Sequence, residues 1–452
     1  MDFKNTIVAQ ATPIGRGGIG VVRISGTNTK KVALTILKKI PKPRYAEYIF
    51  FYDFNNNILD KGIALWFPKP NSFTGEDVLE LHGHGGPIVI NLLIKNILKI
   101  KNIRIAKPGE FLKRAFLNNK INLIQAESIF DLINANSILA AKMAIASFKG
   151  SFSSKIIKIT KLVDNLRINL EAQINFSEDD IKKITKNEII KKLDYILLNI
   201  NNILDETKKS YIIKEGIKIV IAGSPNVGKS SLINVLSGKN ISIVSKIFGT
   251  TRDILSKNIY IENIKINIID TAGLRKTKNI IENIGINKTI SEIKKTNYLL
   301  LLIDTKRKKN FLNLKYNFIK HFSNNLSIII LRNKIDLTKE KPGIFTIKNY
   351  TLICLSIIKL NGINLLKKYL KKKIGLNNFT EGLYLSHLRH LELLKKIKCY
   401  LIKSKKIIKN VFYEELLAEN LLLIIKELNK IIGKENSENI INKIFSKFCI
   451  GK

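Results

Sequence analysis

Apolar and polar positions change rhythm three times along this chain, and each change predicts a different kind of structure. Up to about residue 118, short apolar runs alternate with Gly- and Pro-bearing stretches such as FPKPNSFTGED and HGHGGP, the pattern of strands separated by turns. From about residue 119 to 215, Ile, Leu and Ala recur every three or four positions, as in INLIQAESIFDLINANSILAAKMAIASF. That spacing keeps one face of a helix apolar. At IKIVIAG, residues 217–223, buried-strand runs return: the alternating KNIYIENIKINIID, then YLLLLID and SIIILRNKID. Strands that alternate with helical segments predict a mostly parallel, doubly wound sheet. Beyond about residue 376 the helical spacing resumes in LYLSHLRHLELLKKIKCYLIKSKKIIKN and runs nearly to the end.

The expected architecture is therefore multidomain. An α+β domain spans 1–118, a discontinuous all-helical domain takes 119–215 and 376–452, and an α/β domain over 216–375 is inserted between the helical pieces. No internal repeat is visible. At 452 residues and 45% apolar composition, the chain suits several folded domains and is not disordered. No run approaches the about 18 consecutive apolar residues of a membrane span. The start, MDFKNTIVAQATP, has no apolar stretch long enough for a secretory signal. Cys354, Cys399 and Cys449 are an odd set without metal-like spacing, which suits a reducing, cytoplasmic compartment. The net charge of +41 is compatible with RNA binding. However, the lysines are scattered, and over-use of Lys, Ile and Asn is what an A- and T-rich codon bias produces.

Chemistry enters at GSPNVGKSS, Gly223 to Ser231. Gly223-x4-Gly228-Lys229-Ser230 lies between a buried strand and a helical segment, the setting that a phosphate-binding loop requires. Backbone N–H groups there cradle phosphates, Lys229 offers charge to the outer ones, and Ser230 offers a hydroxyl to magnesium. Asp270-Thr271-Ala272-Gly273 ends one strand, setting Asp270 near the magnesium and the Gly273 N–H near the last phosphate. Asn333-Lys334-Ile335-Asp336 ends another strand. A carboxylate at Asp336 accepts from guanine's ring N–H and amino group, whereas adenine presents a lone pair and no amino donor. Sites built on such bonds discriminate by roughly 10⁴ to 10⁵. Ser356, closing LICLS, stands where a backbone loop supports the base, followed by an unusual Ile357-Ile358. Together these motifs identify a GTPase domain. Leu274 replaces the Gln that signalling GTPases use to orient water, which leaves Glu282 as the nearest acidic candidate. Charge between the phosphates could be offset by Arg252 or by a monovalent cation held by Asn226, the carbonyls of Ser245 and Ile247, and Thr250.

Outside these motifs the chain resembles the MnmE (TrmE) family of tRNA-modifying GTPases along essentially its whole length. The resemblance is carried by TIVAQATPIGRGGIGVVRISG, SFTGEDVLELHGHGG, RIAKPGEFLKRAFLNNKINLIQAESIFDLI, EAQINFSEDD and the closing CIGK. It implies a folate-binding N-terminal domain and a Ras-like G domain set within the helical one. It also implies GTP hydrolysis coupled to C5 modification of the wobble uridine, position 34 of certain tRNAs. The one-carbon donor is implied to be a tetrahydrofolate, the 5,10-methylene form with the 5-formyl form as analogue. The implied partner is an MnmG (GidA)-type flavoprotein that holds the FAD and joins the homodimer in a heterotetramer. The matching folate positions are Arg23, Glu80, Lys120 and Lys452, with Cys449 in the terminal Cys-x-Gly-Lys.

For GTP, the resemblance implies contacts from Asn226, Val227, Gly228, Lys229, Ser230 and Ser231. It extends them to the loop Ser245, Lys246, Ile247, Phe248, Gly249, Thr250 and Thr251, to Asp270–Gly273, to Asn333, Lys334 and Asp336, and to Ser356, Ile357 and Ile358. Magnesium falls to Ser230 and Thr251, and potassium to Asn226, Ser245, Ile247 and Thr250. Glu282 becomes the water-orienting residue. G domains are implied to meet across the dimer and order the potassium loop. Departures from the family are Lys246 and Lys257 at usually acidic positions, Asn122 and Asn175 for aspartates, and Ser245 where Thr is frequent. His82 and His84 in HGHGG are read as a structural turn, not a metal site. A ribosome-assembly GTPase of the Era or Der type would need a KH-like module or a second G domain, and neither is found.

Overall fold

The computed structural model describes residues 5–175, 184–223, 226–237, 256–261, 264–270, 296, 298–305, 327–347, 350–373, 384–410, 413–435, 438–449 and 451. They form two compact units. One comprises residues 1–133, 147–197 and 393–452; the other comprises 134–146 and 198–392.

The first unit opens with β1 (Thr6–Gln10), β2 (Gly17–Ser25), α1 (Thr29–Leu37), β3 (Glu47–Tyr52), β4 (Ile58–Phe67), β5 (Val78–Gly85), α2 (Pro87–Leu98) and β6 (Ile103–Ile105). The strands make one sheet in the order β3-β4-β5-β2-β1-β6. It is antiparallel except where β1 meets β6. Alternation sorts its faces: Val22, Ile24, Leu79 and Leu81 point into a core shared with Val32 and Ile36 of α1 and Leu93 and Ile97 of α2. Residues between them, Arg23 and Glu80 among these, face the other side. HGHGGP is not the turn that the glycines suggest, because β5 continues to Gly85 and places His82 and His84 on the strand. The glycines serve close approach instead. A Cβ on Gly83 would lie 2.4 Å from Asp60 Oδ2, and one on Gly85 would lie 2.5 Å from the Gly17 carbonyl oxygen.

Helices α3 (Glu110–Leu117), α4 (Leu123–Ile133), α5 (Ile138–Phe148), α6 (Ser151–Asn175) and α7 (Lys186–Glu215) follow. On α6 the buried residues Phe152, Ile156, Ile159, Val163, Leu166 and Leu170 recur at three- and four-residue steps. They make one apolar stripe. Late in the chain come α10 (Leu388–Asn410), α11 (Glu414–Ile432) and α12 (Glu438–Phe445). Helix α11 packs along α6, burying a stripe of its own that includes Leu417, Leu421, Ile424, Leu428 and Ile431.

Arg114 of α3, 1% exposed, is the polar hub of this unit. It donates to both carboxylate oxygens of Glu76, to Glu110 and to the Asn5 carbonyl. Glu76 also accepts from Ser25, whose hydroxyl meets Thr74 at 2.7 Å. The loop before β5 is thereby pinned to α3.

The second unit is built on β7 (Ile217–Gly223), α8 (Lys229–Ser237), β8 (Ser256–Ile261), β9 (Ile264–Asp270), β10 (Tyr298–Asp304), β11 (Ser327–Asn333), β12 (Gly343–Ile347), β13 (Tyr350–Cys354) and α9 (Ile363–Lys373). Its sheet runs β12-β13-β11-β10-β7-β9-β8. The five central strands are parallel, with β8 and β12 antiparallel at the edges. Strand β12 has no counterpart among the sequence expectations. Val220 and Ala222 alternate with Ile219 and Ile221, and all four are buried, as expected of strands covered on both faces. Residues 384–386 run beside α7. The buried Tyr384 hydroxyl meets Thr207 Oγ1 at 3.3 Å, Ser210 donates to the Tyr384 carbonyl, and Ser386 donates to the Thr207 carbonyl.

Glu110 makes the first unit acid-sensitive. Burial would raise its carboxyl, but hydrogen bonds from Arg104 and the Lys107 N–H, and the charges of Arg104 and Arg114, hold it at about 2. A depressed carboxylate stabilises the fold fully above its unfolded pKa, near 4.5, and that contribution fades as pH falls toward about 2. The Glu110→Gln variant should therefore melt earlier than the parent at neutral pH, by up to roughly 3 kcal/mol of stability. The gap should close as denaturation is followed down from pH 4.5. A constant gap across that range contradicts the assignment.

Candidate nucleotide site and charged sheet face

In the second unit, the turn from β7 into α8 carries the phosphate loop. Gly223 and Gly228 have positive φ, 156° and 100°, and Asn226 sits at 63°. Gly228 is dictated by contact as well, since a Cβ there would lie 2.7 Å from Asn333 Nδ2. Lys229 folds back and donates to the Gly223 carbonyl at 2.9 Å. Ser230 and Ser231 are exposed on the first turn of α8, whose free N–H groups favour anions. Asn226 is exposed too, while Val227 is buried at 4%.

The ends of β11 and β13 lie beside this loop. Asn333, 4% exposed, donates to the Val227 carbonyl at 2.8 Å and accepts from the Ile357 N–H at 3.1 Å. One amide thus braces the phosphate loop against the loop after β13. Lys334 adopts a left-handed backbone (φ 68°, ψ 34°) that turns the chain into a short 3₁₀ helix, Ile335–Leu337. That turn presents Asp336, whose Oδ1 accepts from Ser356 Oγ at 2.6 Å. Ser356 is fully buried and its hydroxyl also accepts from the Lys359 N–H at 3.2 Å. The Ile357-Ile358 pair acquires a physical reason: Ile357 belongs to the core, whereas Ile358 is 80% exposed.

The structure thus gathers Val227, Gly228, Asn333, Asp336, Ser356 and Ile357 at one end of the parallel sheet. That end is where open α/β folds bind ligands. Asp270 closes β9, but its side chain lies outside the described set, as do residues Ser245, Lys246, Ile247, Phe248, Gly249, Thr250, Thr251, Thr271, Ala272, Gly273 and Glu282 entirely. Among the described residues, Ser230 and Asn226 present an open hydroxyl and amide of the kind that magnesium and potassium accept.

In the first unit, Arg23 and Glu80 are register partners on β2 and β5. Their side chains meet at 2.7 Å, with 20% and 16% exposure. Glu80 also meets His82 Nε2 at 3.1 Å. Burial would raise the Glu80 carboxyl, but the His82 hydrogen bond and the Arg23 charge prevail and hold it below the usual range. The Arg23 guanidinium lies over Phe73 and Phe111, 5.3 and 5.8 Å from the ring centroids, and reaches the Gly451 carbonyl at 3.4 Å. Gly451 is a glycine by necessity, since a Cβ would lie 2.1 Å from the Gln10 carbonyl. Cys449, exposed, accepts the Gly109 N–H at its carbonyl. Lys120 lies beside Gly75, two residues from Phe73: its Cε would lie 3.4 Å from a Cβ on Gly75, and it lines a cavity of about 570 Å³ with Phe116, Asn122 and Lys434. Lys452 lies outside the described residues. Sequence reasoning missed Phe73, Phe111 and the Arg114 network. Their one legible trace was the Glu110–Arg114 spacing of a helical ion pair.

A seven-stranded, mainly parallel sheet carrying a phosphate loop and a braced Asn-Lys-x-Asp loop defines a P-loop GTP-binding protein. The family model for the MnmE helical domain matches residues 123–449, and that for the GTP-binding protein TrmE N-terminus matches residues 6–120. The chain is 49% identical over 452 residues to the tRNA modification GTPase MnmE of Baumannia cicadellinicola subsp. Homalodisca coagulata, covering 99% of each. It is 48% identical, with the same coverage, to that of Wigglesworthia glossinidia brevipalpis. The chain belongs to the MnmE family of tRNA modification GTPases. Among solved structures, the FeoB G-domain from Methanococcus jannaschii matches 35% of this chain and 97% of its own, at 22% identity and a TM-score of 0.26. Among the described residues no helix is long and apolar enough to cross a membrane.

Asn333→Ala strands a buried carbonyl at Val227 and a buried N–H at Ile357. The cost should be about 1–3 kcal/mol for each unpaired group, read as a lower melting midpoint together with weaker GDP binding. Unchanged values for both would show that the brace is dispensable.

Proposed function

We infer that this GTP hydrolase of tRNA modification acts at C5 of the wobble uridine, drawing its one-carbon unit from a tetrahydrofolate bound on the charged sheet face. The observation that carries the reading is the presence, in one family member, of a braced guanine loop and a half-buried Arg–Glu pair walled by aromatic rings. Asp336, already oriented by Ser356, accepts from the ring N–H and amino group of guanine. Lys229 exchanges the Gly223 carbonyl for the outer phosphates. Ser230 and Thr251 would hold magnesium, and Asn226, Ser245, Ile247 and Thr250 would hold potassium; when bound, the two ions would supply positive charge to the phosphate oxygens, potassium in place of an arginine finger. Glu282 orients the attacking water, a task beyond Leu274.

On the sheet face, the neighbouring charges keep Glu80 ionised, so that it accepts from donors on a pterin. Arg23, paired with Glu80, belongs to the pterin end of the folate site, and Lys120 and Lys452 suit the folate carboxylates. Phe73, which is exposed, supplies an apolar wall, and the buried Phe111 backs the Arg23 guanidinium. Cys449 serves as a positioning element in the C-terminal segment. The functional assembly is a homodimer joined to an MnmG-type flavoprotein that holds the FAD, and the domains divide at residues 118, 215 and 375. An Era- or Der-type ribosome-assembly role is not favoured, since the family match extends through the N-terminal and helical regions.

GTP turnover by the full chain should be about 10²-fold faster in potassium than in sodium. Glu282→Gln should lose a similar factor in potassium. Equal, negligible turnover in both salts would mark a decayed hydrolase and contradict the proposal.

A further inference from the structure

We propose that Asp304 and Thr305, at the end of β10, are positioning residues that hold Lys334 as one wall of the guanine pocket. The inference rests on the guanine reading of the loop Asn333–Asp336 and adds residues that its motif does not contain. Parallel pairing sets Asp304 opposite Asn333 in the sheet register. Asp304 and Thr305 therefore lie beside the base loop, and both engage it. The Thr305 N–H donates to the Asn333 carbonyl at 3.2 Å, and its hydroxyl donates to the Lys334 carbonyl at 3.2 Å. Thr305 is 2% exposed, so these bonds are made away from water. Asp304 Oδ2 meets Lys334 Nζ at 2.8 Å, with side-chain exposures of 16% and 28%.

The need for such a clamp follows from the backbone. A left-handed conformation is uncommon for a residue with a Cβ and persists when the surroundings over-determine it. Lys334 is held there by Thr305 from the main-chain side. Its side chain has four rotatable bonds and would otherwise sample many rotamers. With the ammonium anchored on Asp304, the aliphatic stem is held in place. A flat base can pack on an ordered stem without having to immobilise it on binding, which lowers the entropic cost of the complex. This wall touches a purine face and does not read its edge, so its contribution concerns affinity and not the choice between guanine and another base. Choice stays with Asp336.

A double-mutant cycle on the full chain tests the idea, with GDP affinity as the readout. Asp304→Asn keeps the shape and removes the charge, and Lys334→Met keeps an apolar stem and removes the ammonium. In the parent, Asp304→Asn should weaken GDP binding about tenfold, and Asp304→Glu should recover part of the loss. In the Lys334→Met background the same Asp304→Asn change should matter less than about twofold. Full parent-like affinity of Asp304→Asn would overturn the proposal. So would an equal loss in both backgrounds, because Asp304 would then act elsewhere than through Lys334. A parent chain without affinity for GDP would overturn the guanine reading itself, a result distinct from either of these.

Discussion

The amide of Asn333 is the constraint on which the nucleotide-binding unit depends. Its nitrogen holds the Val227 carbonyl and its oxygen holds the Ile357 N–H, so one buried side chain at the end of β11 joins the loops that follow β7 and β13. Such bonds are modest in net worth but costly to leave unmade in a dry interior. They fix the distance between the phosphate loop and the base loop before any ligand arrives. Gly228 is the geometric counterpart, for the space a Cβ would take is filled by the same amide. Preorganisation of this sort lets binding energy go to the nucleotide and not to ordering the loops.

The first unit solves a similar problem with charge. Arg114 is buried with Glu76 and Glu110 as partners, and removing one member would leave the others desolvated and unpaired. This network is a structural hub, and Arg23–Glu80 stands close to it through Phe111 of the same helix. The Arg23–Glu80 pair remains partly exposed, walled by rings and reached by the Gly451 carbonyl. Rigid surroundings and an accessible ion pair are what a binding face requires.

Features that answer to a ligand's shape were the easiest to read in the chain. The spacing Gly223-x4-Gly228-Lys229-Ser230 reflects the size of a phosphate chain, and Asn333, Lys334 and Asp336 are set by the end of a parallel strand. Helical stripes such as that of α6 were legible from period alone. Close-packed glycines misled: Gly83 and Gly85 read as turn formers, yet they allow β5 to approach Asp60 and Gly17. Strand β12 was missed because it is short and its apolar residues, Ile344, Phe345 and Ile347, do not alternate with polar ones. Arg114 was missed for another reason. Burial of a charge follows from partners far apart in the chain, Glu76 and Asn5 here, and no local period records that. Ile357 looked out of place in a base loop until its side chain proved to be core.

The proposed function joins a guanine switch to a folate face in one chain that modifies tRNA. Its most direct test is mass spectrometry of wobble nucleosides in tRNA from cells depleted of the protein. The account predicts that C5-aminomethyl and carboxymethylaminomethyl uridines disappear and unmodified C5 positions accumulate. Undiminished C5 modification after depletion would contradict it.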